Sequence, residues 1–476
     1  MQLTEHQTQV LNNLISFANR DDCKVFILKG SAGTGKTTLL GHFINYIKST
    51  NKKVVLLATT GRAAKILTDK SGKTASTIHS TIYSFDSVNG VDHENNDPWA
   101  SATGQLFLDF GLKQTANIKE DLIYIVDESS MIGHEPAELN TANTARFGSG
   151  SLLDDLMAYV DRHKIVFTGD PCQLPPVSVN PFSAALSYSF IEEKYNCTVM
   201  QAELTQIMRQ SKQSEVLAVA DQFRQAIQVA RYEKYPKIKL PERHDVFLYK
   251  SDTLLVQSYL NIAEENGLHN QIMLSNANWH VQKLNLEIRK GLGLRPQIQV
   301  GDILMIVQNS YNVNLMNGDQ VKVLAVAPDK LVSGLQFIKV RVKLLHNDKV
   351  FETLLISDLL YNSNPGLTAI EAKNLLVDFD QRMRNRGIAR NTEQYKKAML
   401  DDIYLNALRA KFGYCITAHK SQGGEWKHVF LNIQKGLYAL QGAFLYRWYY
   451  TAITRAAVHL HVNDGWWVEG YNYRPK

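Results

Sequence analysis

Apolar residues in the first part of this chain gather into short, nearly unbroken runs. Val25-Phe26-Ile27-Leu28, Val54-Val55-Leu56-Leu57, Leu122-Ile123-Tyr124-Ile125-Val126 and Ile165-Val166-Phe167 each stop abruptly at polar residues. Runs of this kind fit strands buried on both faces of a parallel sheet. After the first run, Leu39, Phe43 and Ile47 recur at helical spacing within TTLLGHFINYIKS. Ligands of parallel sheets gather at the carboxyl ends of the strands. The polar tails of the four runs therefore converge on one crevice.

Farther along, Gln271–Ser275, Gly413–Thr417, His428–Ile433 and Val458–Val462 read as strands, and a helical stretch lies between the last two. A second α/β unit is the economical reading. Between these runs the pattern changes. VGDILMIVQNS, DQVKVLAV, LQFIKVRVKLL and VFETLLIS are short strand-like runs, and Asn317-Gly318-Asp319 is a hairpin signal. They suggest a small β-barrel over about 298–360. Residues 366–411 have a helical, charged pattern with Arg382, Arg384, Arg386, Arg390, Lys396 and Lys397. A solvated helical face and a phosphate contact both fit that cluster.

Composition changes this picture little. The chain has 476 residues, 45% hydrophobic and 21% charged, which suits a globular protein of two to four domains. Its net charge of +6 permits a polyanionic partner without requiring one. Cys23, Cys172, Cys197 and Cys415 are scattered, so reduced thiols are expected rather than a disulfide framework or a zinc site. The polar start MQLTEHQTQV does not resemble a signal peptide, and no apolar run reaches bilayer length. A reducing, cytoplasmic setting is the expectation, with no membrane partner.

The polar tails carry the chemistry. Gly30-Ser31-Ala32-Gly33-Thr34-Gly35-Lys36-Thr37-Thr38 matches G-x-x-x-x-G-K-[ST] between a strand and a helix, the context that a phosphate-binding loop requires. Small residues let backbone N–H groups close on phosphate oxygens, and the helix N-terminus adds positive potential. Lys36 would reach the β- and γ-phosphates and Thr37 would hold Mg²⁺. Asp127, ending the third run, suits a second Mg²⁺ contact. Glu128 could orient and deprotonate water, and Gln173 could sense the γ-phosphate. A capped helix start is the plain alternative for Asp127-Glu128.

GSAGTGKTT, ATTGRAAKIL, TIHS, VDESSM, GDPCQLPPV, LTQIMRQ, YCITAHKSQGGEW and YTAITRA occur in the order found in superfamily 1 helicases. The set most resembles the RecD/Dda/Pif-like branch and spans nearly the whole chain. The resemblance implies an α/β fold of two RecA-like P-loop NTPase-type domains, with an inserted Src-homology-3-like β-barrel and a β-hairpin wedge. The corresponding spans are 1–200 for the first domain, with the wedge at about 83–121. They are 201–297 for the first part of the second domain, 298–365 for the barrel, 366–411 for the charged helical segment and 412–476 for the final part.

The same resemblance implies 5′→3′ translocation on single-stranded DNA driven by ATP with Mg²⁺, and action at junctions of single- and double-stranded DNA by a monomeric motor. DNA rather than RNA, and the polarity, rest on it alone. It gives Arg209 and Arg455 as two arginine fingers and Gln7 as an adenine reader, a solvated helix residue being the alternative for Gln7. Gly423 and Glu425, with Gln422, would stand near nucleotide. Thr59, Thr60, His79, Thr417, His419 and Lys420 would contact the strand. Trp99 and Phe107 are candidates for a stacking wedge tip, against a plain surface loop. Gly424 stands where relatives often carry Ser or Leu, with little consequence expected. A DNA-stimulated ATPase that remodels protein–DNA complexes without unwinding is the alternative function. A small-molecule kinase is disfavoured by the second half of the chain.

Overall fold

The computed structural model describes residues 3–90, 106–114, 120–136, 145–176, 182–206, 214–240, 245–310, 313, 315–345, 349–390 and 392–469. All four early apolar runs are strands of one parallel sheet of six. Its order is Ala75–Thr77, Lys53–Ala58, Leu122–Asp127, Lys164–Gly169, Val25–Gly30, Val199–Leu204. Phe26, Ile27, Leu28, Ile125, Val126, Val166 and Phe167 are buried, and separate apolar clusters form on the two faces of the sheet. Full burial of each such side chain stabilises by about 1.5–3 kcal/mol, which is why the runs are unbroken. The sixth strand, Val199–Leu204, has exposed positions along it and ends a little past residue 200.

Register fixes where the polar tails meet. Ile27 and Val126 both lie opposite Phe167 on the strand between them. Asp127 and the loop after Gly30 thus emerge at the same edge, one strand apart. The Lys36–Lys48 helix begins there, with Leu39, Phe43 and Ile47 buried as the spacing predicts.

A second parallel sheet has the order Val246–Tyr249, Ala456–Asn463, Trp426–Leu431, Gln271–Ser275, Cys415–Thr417. The remaining large sheet is antiparallel. Its order is Val350–Ile356, Leu335–Leu344, Gln320–Val332, Ile303–Ile306, Ala410–Phe412. The two-residue hairpin in it falls at Ser333-Gly334, both at positive φ, and not at Asn317-Gly318-Asp319. Asn317-Gly318-Asp319 instead forms the turn entering Gln320–Val332, where Gly318 N–H donates to Ile306 C=O at 2.9 Å. Arg289 roots the insert. It is 2% exposed, donates to both oxygens of buried Asp302 at 2.7 and 2.9 Å, and stacks on Phe412.

The charged segment forms two helices, Ala369–Asn385 and Glu393–Asp401, the first opened by a Thr368/Glu371 capping box. Several of its cations are answered from within. Arg382 pairs with Asp378 and Asp402, Arg390 with Asp380, and Lys396 with Glu393. The apolar side of the first helix, Leu376, Phe379 and Met383, packs with Phe85 and Leu108. Those two residues stand on the paired strands Tyr83–Gly90 and Leu106–Leu112 of the first lobe. Trp99 lies outside the described residues, and Phe107 is described only by its backbone pairing with Asn89. Three cysteines are buried and Cys197 is partly so. Among the described residues no helix is long and apolar enough to cross a membrane.

Candidate active site

The two parallel sheets face each other across a cavity of about 1040 Å³. One side is lined by Gln7, the Ser31–Thr38 loop, Asp127, Glu128 and Gln173. The other side is lined by Gly423, Gly424, Glu425, Trp426, Thr454 and Arg455. Strand-end placement thus brings together every nucleotide-side candidate except three. Gln422 is outside the lining, its amide donating to Leu174 C=O at 2.8 Å. Gly30 stands at the root of the loop, just outside the lining. Arg209 lies outside the described residues.

The loop has the conformation its sequence demands. Gly33 and Gly35 hold φ of 80° and 83°, where side chains are strained. A Cβ at Gly30 would stand 2.8 Å from Thr34 Oγ1. Lys36 Nζ donates to Gly30 C=O at 2.5 Å and Ser31 C=O at 3.1 Å, which keeps its charge over the loop. Gln7 is buried, and its amide is used at both ends. Oε1 accepts from Thr4 N–H at 3.1 Å and Nε2 donates to Thr34 C=O at 3.1 Å, bracing the loop.

Asp127 ends its strand, and Glu128 follows in the left-handed region at φ 54°. Non-glycine residues seldom adopt that conformation, and it concentrates at functional sites. Glu128 N–H donates to Asp127 Oδ1 at 2.9 Å. Desolvation pushes both carboxyls upward, while the charge of Lys36 opposes this at each. For Glu128, repulsion from Asp127 adds to the rise and Arg455 counters it. Two desolvated carboxyls beside a hydroxyl-bearing loop form a hard-oxygen set. Thr37 and Asp127 therefore fit Mg²⁺, whose charge would draw Asp127 down.

Arg455 is 5% exposed and donates to protein oxygens only: Thr451 C=O at 3.0 Å, Gly424 C=O at 3.2 Å and Thr454 Oγ1 at 3.1 Å. Burial lowers its pKa, and Glu128 is the first charge opposing that. Gln173 is buried with Oε1 lacking a hydrogen-bond partner. A desolvated cation and an open amide facing a phosphate loop suit a triphosphate and a water attacking it.

The helix Gly442–Ile453 grips the Gln173 loop from across the cleft. Thr451 Oγ1 accepts from Leu174 N–H at 2.9 Å, and Arg447 donates to Pro171 C=O and to Gln173 C=O. Tyr450 OH accepts from Ala32 N–H at 3.2 Å and donates to Asp170 at 2.6 Å. Sequence reasoning missed these contacts of Tyr450, Arg447 and Asp170, although Tyr450 and Asp170 lie within quoted motifs and Arg447 shortly before one.

The strand candidates fall in separate places. Thr59 and Thr60 follow the Lys53–Ala58 strand, and Thr60 caps the Gly61–Ser71 helix. His79 packs edge-on to Phe147 at 5.3 Å, and burial lowers its pKa, keeping it neutral. His419 lies beside Phe444, with Nε2 buried and unpaired. Thr417 and Lys420 share a second crevice with Asn278 and Lys411. Burial lowers the pKa of Lys411 to about 8, and Trp279 beside Asn278 is 62% exposed. Lys411 and Asn278 join this crevice without any signal in the sequence.

Family models match an "AAA domain" over residues 2–240, just over half the chain, and a "UvrD-like helicase C-terminal domain" over residues 412–462. The chain belongs to the superfamily 1 helicases of the Dda/RecD/Pif-like branch. Among curated relatives of this helicase-family chain, "ATP-dependent DNA helicase dda" of Enterobacteria phage T4 is 27% identical over 325 residues. That match covers 67% of this chain and 64% of the relative. "ATP-dependent RecD2 DNA helicase" of Deinococcus radiodurans is 23% identical over 460 residues, covering 95% of this chain and 48% of the relative. The chain therefore spans less than two thirds of the length of either. A Bacteroides Pif1 helicase, solved with ADP-AlF3 and single-stranded DNA, has the same fold. Its TM-score is 0.50 at 17% identity, over 98% of this chain and 93% of that one.

Proposed function

We propose that the chain is an ATP-dependent DNA helicase that moves 5′→3′ along single-stranded DNA. The observation that carries this reading is the cavity between two parallel sheets. It sets the Lys36 loop, Asp127 and Glu128 on one lobe against the desolvated Arg455 of the other. ATP is the substrate that this charge arrangement fits; Thr37 and Asp127 would hold Mg²⁺, which would supply charge neutralisation. Closure of the lobes presses Arg455 toward the triphosphate. Hydrolysis and release relax them, and alternating grip advances the strand. Arg209 is the second finger in this reading.

The two parallel sheets are the RecA-like domains, and the antiparallel insert is the Src-homology-3-like barrel. The strand contacts in this reading are Thr59, Thr60, His79, Thr417, His419 and Lys420. Backbone contacts of this kind make binding salt-sensitive and nearly independent of sequence. The motor acts as a monomer in the cytoplasm on single strands and fork junctions.

Unwinding of matched duplexes carrying a 5′ or a 3′ single-stranded tail tests this directly. Only the 5′-tailed duplex should open. Opening of the 3′-tailed one alone would reverse the polarity. Failure of both, with DNA-stimulated ATP turnover intact, would favour a translocase that remodels complexes.

The strands Tyr83–Gly90 and Leu106–Leu112 are the arms of the wedge, braced by Leu376, Phe379 and Met383. Gly90 pairs with Leu106, so a two-residue Asn-Gly turn can replace residues 91–105. The shortened protein should keep DNA-stimulated ATP turnover and lose unwinding. Retained unwinding in a fork assay would remove the wedge assignment.

A further inference from the structure

Arg62 opens the first turn of the Gly61–Ser71 helix, in the polar tail of the Lys53–Ala58 strand. Its guanidinium carbon lies 4.1 Å from the centroid of the Trp426 ring, on the opposite lobe. Nη1 reaches Gln320 Oε1 at 3.5 Å, and that same oxygen accepts from Trp426 Nε1 at 3.3 Å. The Gln320 amide nitrogen donates to Gly413 C=O at 3.0 Å. One amide of the antiparallel insert therefore touches both lobes.

Among the described residues no carboxylate forms an ion pair with Arg62. Asp319 acts on it through space, while its own carboxylate accepts from Met316 N–H at 2.9 Å. Burial outweighs that attraction and lowers the arginine to about 10. What remains is stacking and one long amide contact, an arrangement specific to a planar cation.

Two glycines permit close approach around it. A Cβ at Gly61 would stand 1.9 Å from Met316 Cβ in the insert. A Cβ at Gly424 would stand 2.6 Å from Trp426 Cη2 and 3.0 Å from Arg62 Cζ. The expectation that Gly424 has little consequence is thus corrected: a side chain there would displace the stack. From Trp426 the path to the active site is short. Trp426 N–H donates to Arg455 C=O at 3.0 Å, and the Arg455 side chain donates to Gly424 C=O at 3.2 Å.

We propose that Arg62 is a positioning residue for Arg455. Clasped between Trp426 and Gln320, it ties the placement of Arg455 in the nucleotide cleft to the position of the inserted sheet. The kinetic part of this inference rests on the ATPase reading above.

Arg62→Ala, Arg62→Lys and Gly424→Ser test it, each made with and without Trp426→Phe so that the emission of Trp426 is obtained by difference. Emission is read before and after adding a non-hydrolysable ATP analogue and an oligothymidylate. Steady-state ATP turnover on the same strand gives kcat and KM. In the wild-type chain the Trp426 signal should change on binding. Arg62→Ala and Gly424→Ser should lose that change. Their strand-stimulated kcat should fall about thirtyfold, the scale of a desolvated cation–π contact, with KM for ATP moving much less. Arg62→Lys, which keeps charge without the plane, should fall between.

Wild-type kcat with an unchanged Trp426 response in Arg62→Ala would overturn the clasp. So would parallel loss of kcat, nucleotide binding and thermal stability, which marks a merely structural residue. If the wild-type chain turned over no ATP, the hydrolase reading would fall, and the emission arm would still decide the clasp because it needs binding alone.

Discussion

Lys36→Ala should lower DNA-stimulated ATP turnover by on the order of 10³-fold or more while leaving strand binding measurable. Lys36 is held over the phosphate loop by Gly30 C=O and Ser31 C=O, at the N-terminus of its helix. Its charge also opposes the upward push on both Asp127 and Glu128. In the proposed reaction its removal takes away the cation that would face the transferred phosphoryl group, and it weakens the ionisation of the two carboxyls together. The strand candidates Thr417 and Lys420 lie in a separate crevice, so fluorescence anisotropy with a labelled oligonucleotide should still report binding. Turnover at the wild-type rate would show that the loop is not the hydrolytic site.

Arg455→Ala should cost roughly 10³–10⁵-fold in kcat, the range for an arginine that stabilises charge on a transferred phosphoryl group. The structure adds a signature that separates this from a packing defect. Arg455 is desolvated among neutral oxygen acceptors. Among the described residues no carboxylate pairs with it, and such a buried cation is expensive to keep, so its removal should leave thermal stability nearly unchanged while activity collapses. Arg455→Lys should recover little, since an ammonium lacks the planar fork. A melting temperature that drops sharply, with turnover falling only in proportion to the folded fraction, would make Arg455 a structural residue.

How far the sequence reaches depends on what each segment buries. Central strands such as Leu122–Asp127 and Lys164–Gly169 are covered on both faces, so their apolar runs are unbroken and readable. Edge strands are not. Val199–Leu204 has exposed positions, and Val246–Tyr249 leaves Phe247 and Leu248 in solvent, so neither shows the pattern of a buried run. The phosphate loop and the Asp127-Glu128 pair are legible because their chemistry is local. Contacts across the cleft are not local: Tyr450 to Asp170, Arg447 to Pro171, Arg62 to Trp426. No spacing rule joins residues that far apart in the chain. The basic cluster leaves two readings open in sequence, a solvated face and a phosphate contact, for a related reason. Counted alone, Arg382 and Arg390 suggest an anion site, and only the folded helices reveal Asp378, Asp380 and Asp402 beside them.

The packing of Phe85 and Leu108 against Leu376, Phe379 and Met383 has a consequence for biosynthesis. The two arms are complete by Leu112, whereas the helix that covers them begins at Ala369. At elongation rates of about 5–20 residues per second, the ribosome needs on the order of ten seconds to a minute to supply that cover. Throughout that interval the nascent first lobe carries an uncovered apolar ribbon with an open strand edge, a surface suited to chaperone capture. A release of that hold should coincide with emergence of the Ala369–Asn385 helix, making the middle of the second half the folding checkpoint for the first.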